Sequence, residues 1–283
     1  MQKPLVIYHG MCMDGIAAAW CFWKHWKDAM DYHPGVYGQN PPDVTGRVVY
    51  LVDFSYPAKT VIAMSRVAER IVILDHHDTL LRDLDEIGQE TVNVITDDCT
   101  KLYSGCLITW KYTQNFLGRT DPLPLVMAHI QDYDLWLHAL KDTKEVVAGI
   151  KSYPQSIEAY DKLMELDLVG VTMLKERGKI LVDQFEADMG AILSMTRREM
   201  MIGDDIVPVC NANGHYASYL GNLLCEGVPF AATYYDTALG RVFSLRSSPK
   251  GKDVSKIARI FGGGGHVHAA GFKVLRTHTL AKL

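Results

Sequence analysis

The chain has 283 residues, 48% of them hydrophobic and 22% charged, with a formal net charge of −4. That is the composition of a soluble globular protein with room for one large domain or two ordinary ones. The slight acidity argues against a protein that coats long duplex DNA, whose many phosphate contacts favour a strongly basic face.

Six cysteines without a CxxC pair, no apolar leader in MQKPLVIYHG and no run of about 18 apolar residues predict a cytoplasmic protein with free thiols and no membrane span.

In chain order, Leu5–Tyr8 reads as a buried strand. Ile16, Ala19, Trp20, Trp23 and Trp26 then recur at helical spacing. Val48–Val52 is a second strand, followed by a helix marked by Val61, Ile62, Met64 and Val67, with Ser55 as its N-cap. Ile71–Leu74 is a third strand, and Val92–Ile95 adds a fourth. Strands that alternate with helices predict right-handed crossovers and a parallel sheet with helices on both faces. Further helices are expected over 105–116 and 123–131.

From 156 to 201 there is almost no strand signal, and LKERGKILVDQFEADMGAILSM reads as one long connecting helix whose apolar positions permit a homodimer. After Gly203, strands at 206–210, 230–235, 242–246 and 272–275, with helices at 216–225 and 254–260, form a smaller mixed α/β domain.

Each of the three strong strands runs into metal-ligand chemistry: the first into His9, Cys12 and Asp14, the second into Asp53, the third into Asp75-His76-His77. Ligands of an open parallel sheet bind at the carboxyl ends of its strands, so these groups are expected in one crevice. A single Asp after a strand is usually a turn residue. Three ionisable groups at a buried strand end are costly without a purpose.

Mixed carboxylate and imidazole ligands suit Mn²⁺, Fe²⁺ or Zn²⁺ better than Ca²⁺. The number of ligands suggests two ions that clamp an in-line displacement by water at phosphorus, with Asp53 bridging them. Asp132 and Asp134, in HIQDYDLW, follow a helix, where capping acids are common. Ser104-Gly105 reads as an N-cap without chemistry.

Gly262-Gly263-Gly264-Gly265-His266 is the second strong signal, since four glycines let backbone N–H groups approach an anion. Arg246, at the end of FSLR, offers a bidentate phosphate grip.

These segments resemble the DHH phosphoesterase superfamily. Asp75-His76-His77 matches its name-giving motif, and IYHGMCMDGIAAAW resembles the first motif of the nanoRNase and cyclic-nucleotide phosphodiesterase subgroup. VDFSYP is similar to the second motif and QDYDLW to the fourth. RSSPKGKDVSKIARIFGGGGHVHAAGF is similar to the DHH-associated C-terminal domain.

The resemblance implies a catalytic domain over 1–150, a helical connector over 151–202 and a substrate-binding domain over 203–283. It implies two Mn²⁺ ions, with Mg²⁺, Fe²⁺, Co²⁺ or Zn²⁺ as alternatives. His9 and Asp53 would hold one ion; Asp14, Asp53, His76 and Asp132 would hold the other. His77 would contact the scissile phosphate and Asp75 would orient the histidines. Arg246, Gly262, Gly263, Gly264, Gly265 and His266 would bind the rest of the substrate. Of the fourth-motif acids, Asp132 is taken as the ligand and Asp134 as structural.

Cys12 stands where many members carry the first aspartate of a DxD pair. Its softer sulfur makes it a further candidate ligand that biases the site toward Zn²⁺ or Fe²⁺.

The activity implied is metal-dependent hydrolysis of short oligonucleotides or dinucleotides to mononucleotides. Cyclic nucleotides, a bisphosphate nucleotide or an inorganic phosphate chain are alternative substrates. A nucleotide sensor without turnover is the rival from another class. Phe54, Tyr56, Tyr103 and Tyr133 are the aromatic residues considered for base stacking.

Overall fold

The computed structural model describes residues 2–97 and 99–282, apart from the side chain of Thr79. Two compact units, Met1–Val182 and Asp183–Leu283, divide the chain.

The first unit is built on five parallel strands: β1 (Leu5–His9), β2 (Asp31–Gly35), β3 (Val48–Val52), β4 (Arg70–Leu74) and β5 (Val94–Thr96). They lie in the order β2-β1-β3-β4-β5. Tyr8 pairs with Val52 and Val52 with Leu74, so three strands finish in step. The chain leaves β1 for one neighbour and returns to the other side with β3, which makes the β1/β3 boundary the topological switch point of the sheet.

Strand side chains alternate between faces. Even-numbered Val6, Val52, Val72 and Leu74 pack into one core with α1 (Met13–Trp26), α4 (Gly105–Leu117), α5 (Leu125–Asp134), α6 (Thr143–Lys151) and α7 (Ile157–Met164). Odd-numbered Ile7, Leu51, Ile71 and Ile73 pack with α2 (Ala58–Ser65) and α3 (Asp78–Glu90). Each fully buried side chain of this kind contributes about 1.5–3 kcal/mol by leaving water.

β2 carries no strand signal in its sequence. DYHPG shows no apolar alternation and carries Pro34, which a strand tolerates only at a sheet edge, where β2 lies. Ser55 does not cap α2, because its hydroxyl donates to the Tyr56 carbonyl; the Asp83 carboxylate accepts from the Ala58 amide instead.

The stretch expected as a connector is divided between the units. Tyr160 of α7 and Leu174 of α8 (Leu168–Thr196) belong to the first core, and the unit boundary falls inside α8. Leu168, Val169, Met173, Ile180, Leu181 and Met195 of α8 are exposed. No helix among the described residues is long and apolar enough to cross a membrane.

The second unit holds β6 (Arg198–Ile202), β7 (Asp205–Asn211), β8 (Ala231–Asp236), β9 (Gly240–Arg246), β10 (Gly264–His266) and β11 (Ala269–Leu275), in the order β10-β11-β9-β8-β7-β6. Only β7 and β8 run parallel, joined through α9 (Gly214–Leu224); the other pairs are antiparallel. One face carries α10 (Val254–Ile260) over Phe243, Leu245 and Phe272, and the other carries α9 over Cys210 and Ala231.

Candidate active site

The carboxyl ends of β1, β3 and β4 converge at the switch point. His9 closes β1, Asp53 follows β3, and Asp75-His76-His77 follow β4. α1, α3 and α4 begin at the same place, with Cys12, His77 and Ser104 as their N-caps, so the positive ends of three helix dipoles face the acids.

Asp53 sits at the centre and is 1% exposed. Its φ of 52°, unusual for a non-glycine residue, is held by its amide, which donates to the Leu74 carbonyl at 2.9 Å. One oxygen lies 3.4 Å from His9 Nδ1 and the other 3.2 Å from His76 Nε2. Three sets of side chains bring ligand atoms within 4.8 Å of one another: His9, Cys12 and Asp53; Asp14, His76 and Asp134; and Asp53 with Asp75, His76 and His77. Asp53 thus faces the first two sets with different oxygens.

Several buried atoms in the cluster lack a hydrogen-bond partner: His9 Nδ1, Asp14 Oδ2, both Asp53 oxygens and His76 Nε2. Buried polar atoms are otherwise almost always satisfied, because each orphan costs about 1–3 kcal/mol. Orphaned acceptors that converge on an imidazole nitrogen fit a bound divalent cation.

The electrostatics point the same way. Burial opposes ionisation of Asp53, yet the imidazoles of His76 and His9 outweigh it and hold its carboxyl down at about 2. Burial works against a charged His76, but Asp53, Asp14 and Asp134 lift it to about 9. Asp14 is pushed well up by burial and then by the charges of Asp53 and Asp134, and Asp134 is raised by burial and by Asp53. Burial and the charge of Asp53 keep Cys12 a thiol. Added positive charge would ionise all three.

Asp75 Oδ1 accepts from the His76 amide at 2.8 Å and lies 2.7 Å from His77 Nδ1. That bond fixes the His77 ring and raises its affinity for a proton, leaving Nε2 of a half-buried imidazole for a ligand.

The structure corrects the choice between the fourth-motif acids. Both lie on the last turn of α5, not after it. Residues two apart on a helix differ by about 200° around its axis and face opposite ways. Asp134 reaches His76 at 3.4 Å. Asp132 turns away: it accepts from the Ala139 amide at 2.8 Å, the Leu140 amide at 3.3 Å and the Thr143 hydroxyl at 2.6 Å. It braces the loop after α5, in which Trp136 and His138 have positive φ.

Two further contributors had no assigned chemistry in the sequence. Gly105 opens α4 so close to Asp53 that a Cβ there would come within 2.7 Å of its Cα and Oδ1. The next amide, of Cys106, donates to Asp14 Oδ1 at 3.1 Å. The signal was a Ser-Gly pair at a helix start, too common to single out. Tyr37, 47% exposed, sets its ring edge-on to His9 at 5.3 Å. Of the aromatic residues considered for stacking, Phe54 and Tyr56 are buried in the core and unavailable, whereas Tyr103 and Tyr133 are partly accessible.

In the second unit the glycine run is not an open cradle. Gly264 and Gly265 pair as β10 with Gly271 and Ala270. Gly262 has a φ of 76°, and a Cβ at Gly263 would meet Phe272 Cα at 2.8 Å, so turn geometry and close packing account for these two, whereas Gly264 has open space around it. His266 is exposed. Arg246 pairs with Ala269, which pairs with His266, so Arg246 and His266 share a row across β9, β11 and β10. The Arg246 guanidinium donates to Ser218 at 2.7 Å and to the Leu245 carbonyl at 2.8 Å.

No family model matches the chain. Over 296 residues it is 27% identical to the uncharacterized protein R106 of Acanthamoeba polyphaga mimivirus, covering 95% of this chain and 67% of that protein. It is 27% identical over 223 residues to oligoribonuclease NrnB of Bacillus subtilis, covering 72% of this chain and 53% of NrnB. The chain therefore spans about two thirds of the first relative and about half of the second. Its fold is similar to that of the pGpG-specific phosphodiesterase PggH from Vibrio cholerae, with a TM-score of 0.55 at 12% identity, covering 97% of this chain and 94% of that one. An Asp-His-His triad follows β4. In that triad the chain resembles the DHH phosphoesterase superfamily, and the likeness to NrnB supports the assignment. His76 belongs to both the Asp14 and the Asp53 sets, Asp75 and His77 join the Asp53 set alone, and Asp134 is the acid that α5 adds to the Asp14 set.

Proposed function

We propose that this chain is a divalent-metal-dependent phosphodiesterase that hydrolyses short oligonucleotides or dinucleotides to mononucleotides. The observation that carries the reading is the placement of Asp53, whose two oxygens face separate ligand sets, one with His9 and Cys12 and one, through His76, with Asp14 and Asp134. The kinship with a protein named an oligoribonuclease supports it.

His9, Cys12 and Asp53 would hold one ion, and Asp14, Asp53, His76 and Asp134 the other. Manganese fits this oxygen- and nitrogen-rich set, and the Cys12 sulfur extends the range to iron and zinc. Such a pair supplies Lewis-acid polarisation of the phosphoryl oxygens. His77, oriented by Asp75, donates from Nε2 to the phosphate and stabilises the charge that develops as water displaces the leaving oxygen. Arg246 and His266 provide a second anion-binding row on the carboxy-terminal unit.

The test is a hydrolysis screen. Chelator-treated protein is supplied with Mn²⁺, Mg²⁺, Co²⁺, Fe²⁺ or Zn²⁺ and given labelled RNA dimers and trimers, linear and cyclic dinucleotides and a bisphosphate nucleotide. Mononucleotides are expected from the dimers and trimers only when metal is added. No release with any metal would sink the reading.

Cys12 favours a second reading, a nucleotide-binding protein without turnover, because a neutral thiol replaces an acid in the first ligand set. Binding without hydrolysis in the same screen is its signature.

A further inference from the structure

A cavity of about 360 Å³ opens directly beside the ligand cluster, between the β1–α1 loop and the ends of α5 and α6. Asp14 and Asp134 are among its lining, Met13, Ile130 and Tyr133 give it apolar surface, and Lys151 stands with them. The volume is at the small end of the range for small-molecule pockets, about 300–1,000 Å³. Whatever group is attached to a phosphorus at the cluster on this side must enter it.

The Tyr133 ring is held from two directions. Trp136 stacks on it, with centroids 6.4 Å apart and planes at 22°. Lys151 Nζ lies over the ring, 4.6 Å from its centroid, and donates to the Tyr133 hydroxyl at 3.3 Å. Trp136 keeps its position in a loop with positive φ because the Asp132 carboxylate ties that loop through Ala139, Leu140 and Thr143. Backbone strain held by a buried acid, with a two-ring aromatic surface beside a ligand cluster, is costly unless the surface is used.

We infer that this cavity takes one nucleoside of the substrate, with its base over the Tyr133 ring in the place that Lys151 Nζ takes in the free protein and Lys151 moved to the polar edge of the base. The inference rests on the phosphodiesterase reading and narrows its substrate class. An inorganic phosphate chain would need several cations along its path. The lining offers one, opposite two acids, so the cavity selects for a base-bearing group. Aromatic stacking tolerates every base, which gives a subsite for nucleosides in general and not for one sequence. Recognition of the substrate then begins in the same unit that cuts it.

The test uses Tyr133→Leu, which keeps apolar bulk and removes the aromatic face, and Tyr133→Phe, which keeps the face. Each is assayed in the full chain with Mn²⁺ on an RNA dinucleotide, on two counterparts lacking one base or the other, and on inorganic tripolyphosphate. Tyr133→Leu is expected to raise KM for the intact dinucleotide about tenfold, with kcat and Mn²⁺ affinity little changed. Tyr133→Phe stays near the unaltered protein. One of the two base-deleted substrates becomes insensitive to Tyr133→Leu.

An unchanged KM in Tyr133→Leu overturns the subsite while the phosphodiesterase reading stands. So does a loss of kcat/KM shared equally by all three nucleotide substrates, or a loss of Mn²⁺ affinity, because either marks a structural role. An unaltered chain that cleaves no nucleotide, whether or not it cleaves tripolyphosphate, overturns both.

Discussion

His76 leans on Asp53, with Nε2 3.2 Å from Oδ1, and the two titrate in opposite directions, the imidazole up to about 9 and the carboxyl down to about 2. In metal-free protein the raised imidazole stabilises the fold fully below its ordinary 6.5 and loses that contribution as pH climbs through about 9. The lowered carboxyl contributes above 3.8 and loses its share only as pH falls through about 2. Asp14 and Asp134 act oppositely to Asp53, since their raised pKa values cost stability as pH rises above 3.8. All but Asp53 therefore make the metal-free protein weaker toward alkaline pH.

A metal ion must displace the His76 proton, so the rise in Tm caused by Mn²⁺ grows between about pH 6 and pH 9. Calorimetric titration in two buffers of different ionisation enthalpy should show proton release on binding. A pH-independent Tm shift without proton release would count against His76 as a ligand.

The two acids of α5 separate cleanly. Asp134→Asn is expected to weaken metal binding and abolish turnover without lowering the resistance of the metal-free protein to urea, since the raised Asp134 carboxyl costs stability at neutral pH. Asp132→Asn loses charge-assisted bonds that brace the following loop and costs about 1.5–3 kcal/mol of stability, with metal binding retained. The reverse assignment predicts the opposite pair of results.

Asp14→Asn trades function for stability. Its Oδ1 can still accept from the Cys106 amide, and the buried charge repelled by Asp53 and Asp134 is gone. The metal-free variant should melt above the unaltered chain, yet gain less from added Mn²⁺. A metal-free Tm below that of the unaltered chain would show that Asp14 is not under electrostatic strain.

Much of this was legible in the residues. The apolar runs at Leu5–Tyr8, Val48–Val52 and Ile71–Leu74 are strands, and His9, Asp53 and Asp75-His76-His77 follow them into one place. What escaped was set by tertiary context. β2 is a strand only because the sheet edge receives it, and the glycine run of β10 is a strand only because β11 pairs with it. The side of α5 that faces the site depended on where that helix ends, and an error of a few residues there exchanged Asp132 for Asp134.

Gly105→Ala places a methyl group against Asp53. Over-packing of this kind costs about 1–3 kcal/mol. The larger effect falls on the site, where a displacement of about 1 Å lowers turnover about 100-fold. Gly118→Ala, in open space at the other end of α4 but in a left-handed conformation, serves as the control: it strains the backbone and spares the activity. Equal activity losses in the two variants would disconnect α4 from the site.

Cys12→Asp places a carboxylate in the first ligand set. Turnover with Mn²⁺ should rise relative to Zn²⁺, since a harder oxygen donor replaces sulfur. An unchanged metal preference would remove Cys12 from the ligands.

The step-by-step alignment of Tyr8, Val52 and Leu74 carries a consequence for biogenesis. Sliding one of these strands by a single place would turn its residues over and scatter the donors that follow it. An ion that binds only the native alignment stabilises that alignment alone, by mass action. Metal loading would then proofread the folding of this sheet, and a mispaired chain would announce itself by failing to take up its cargo.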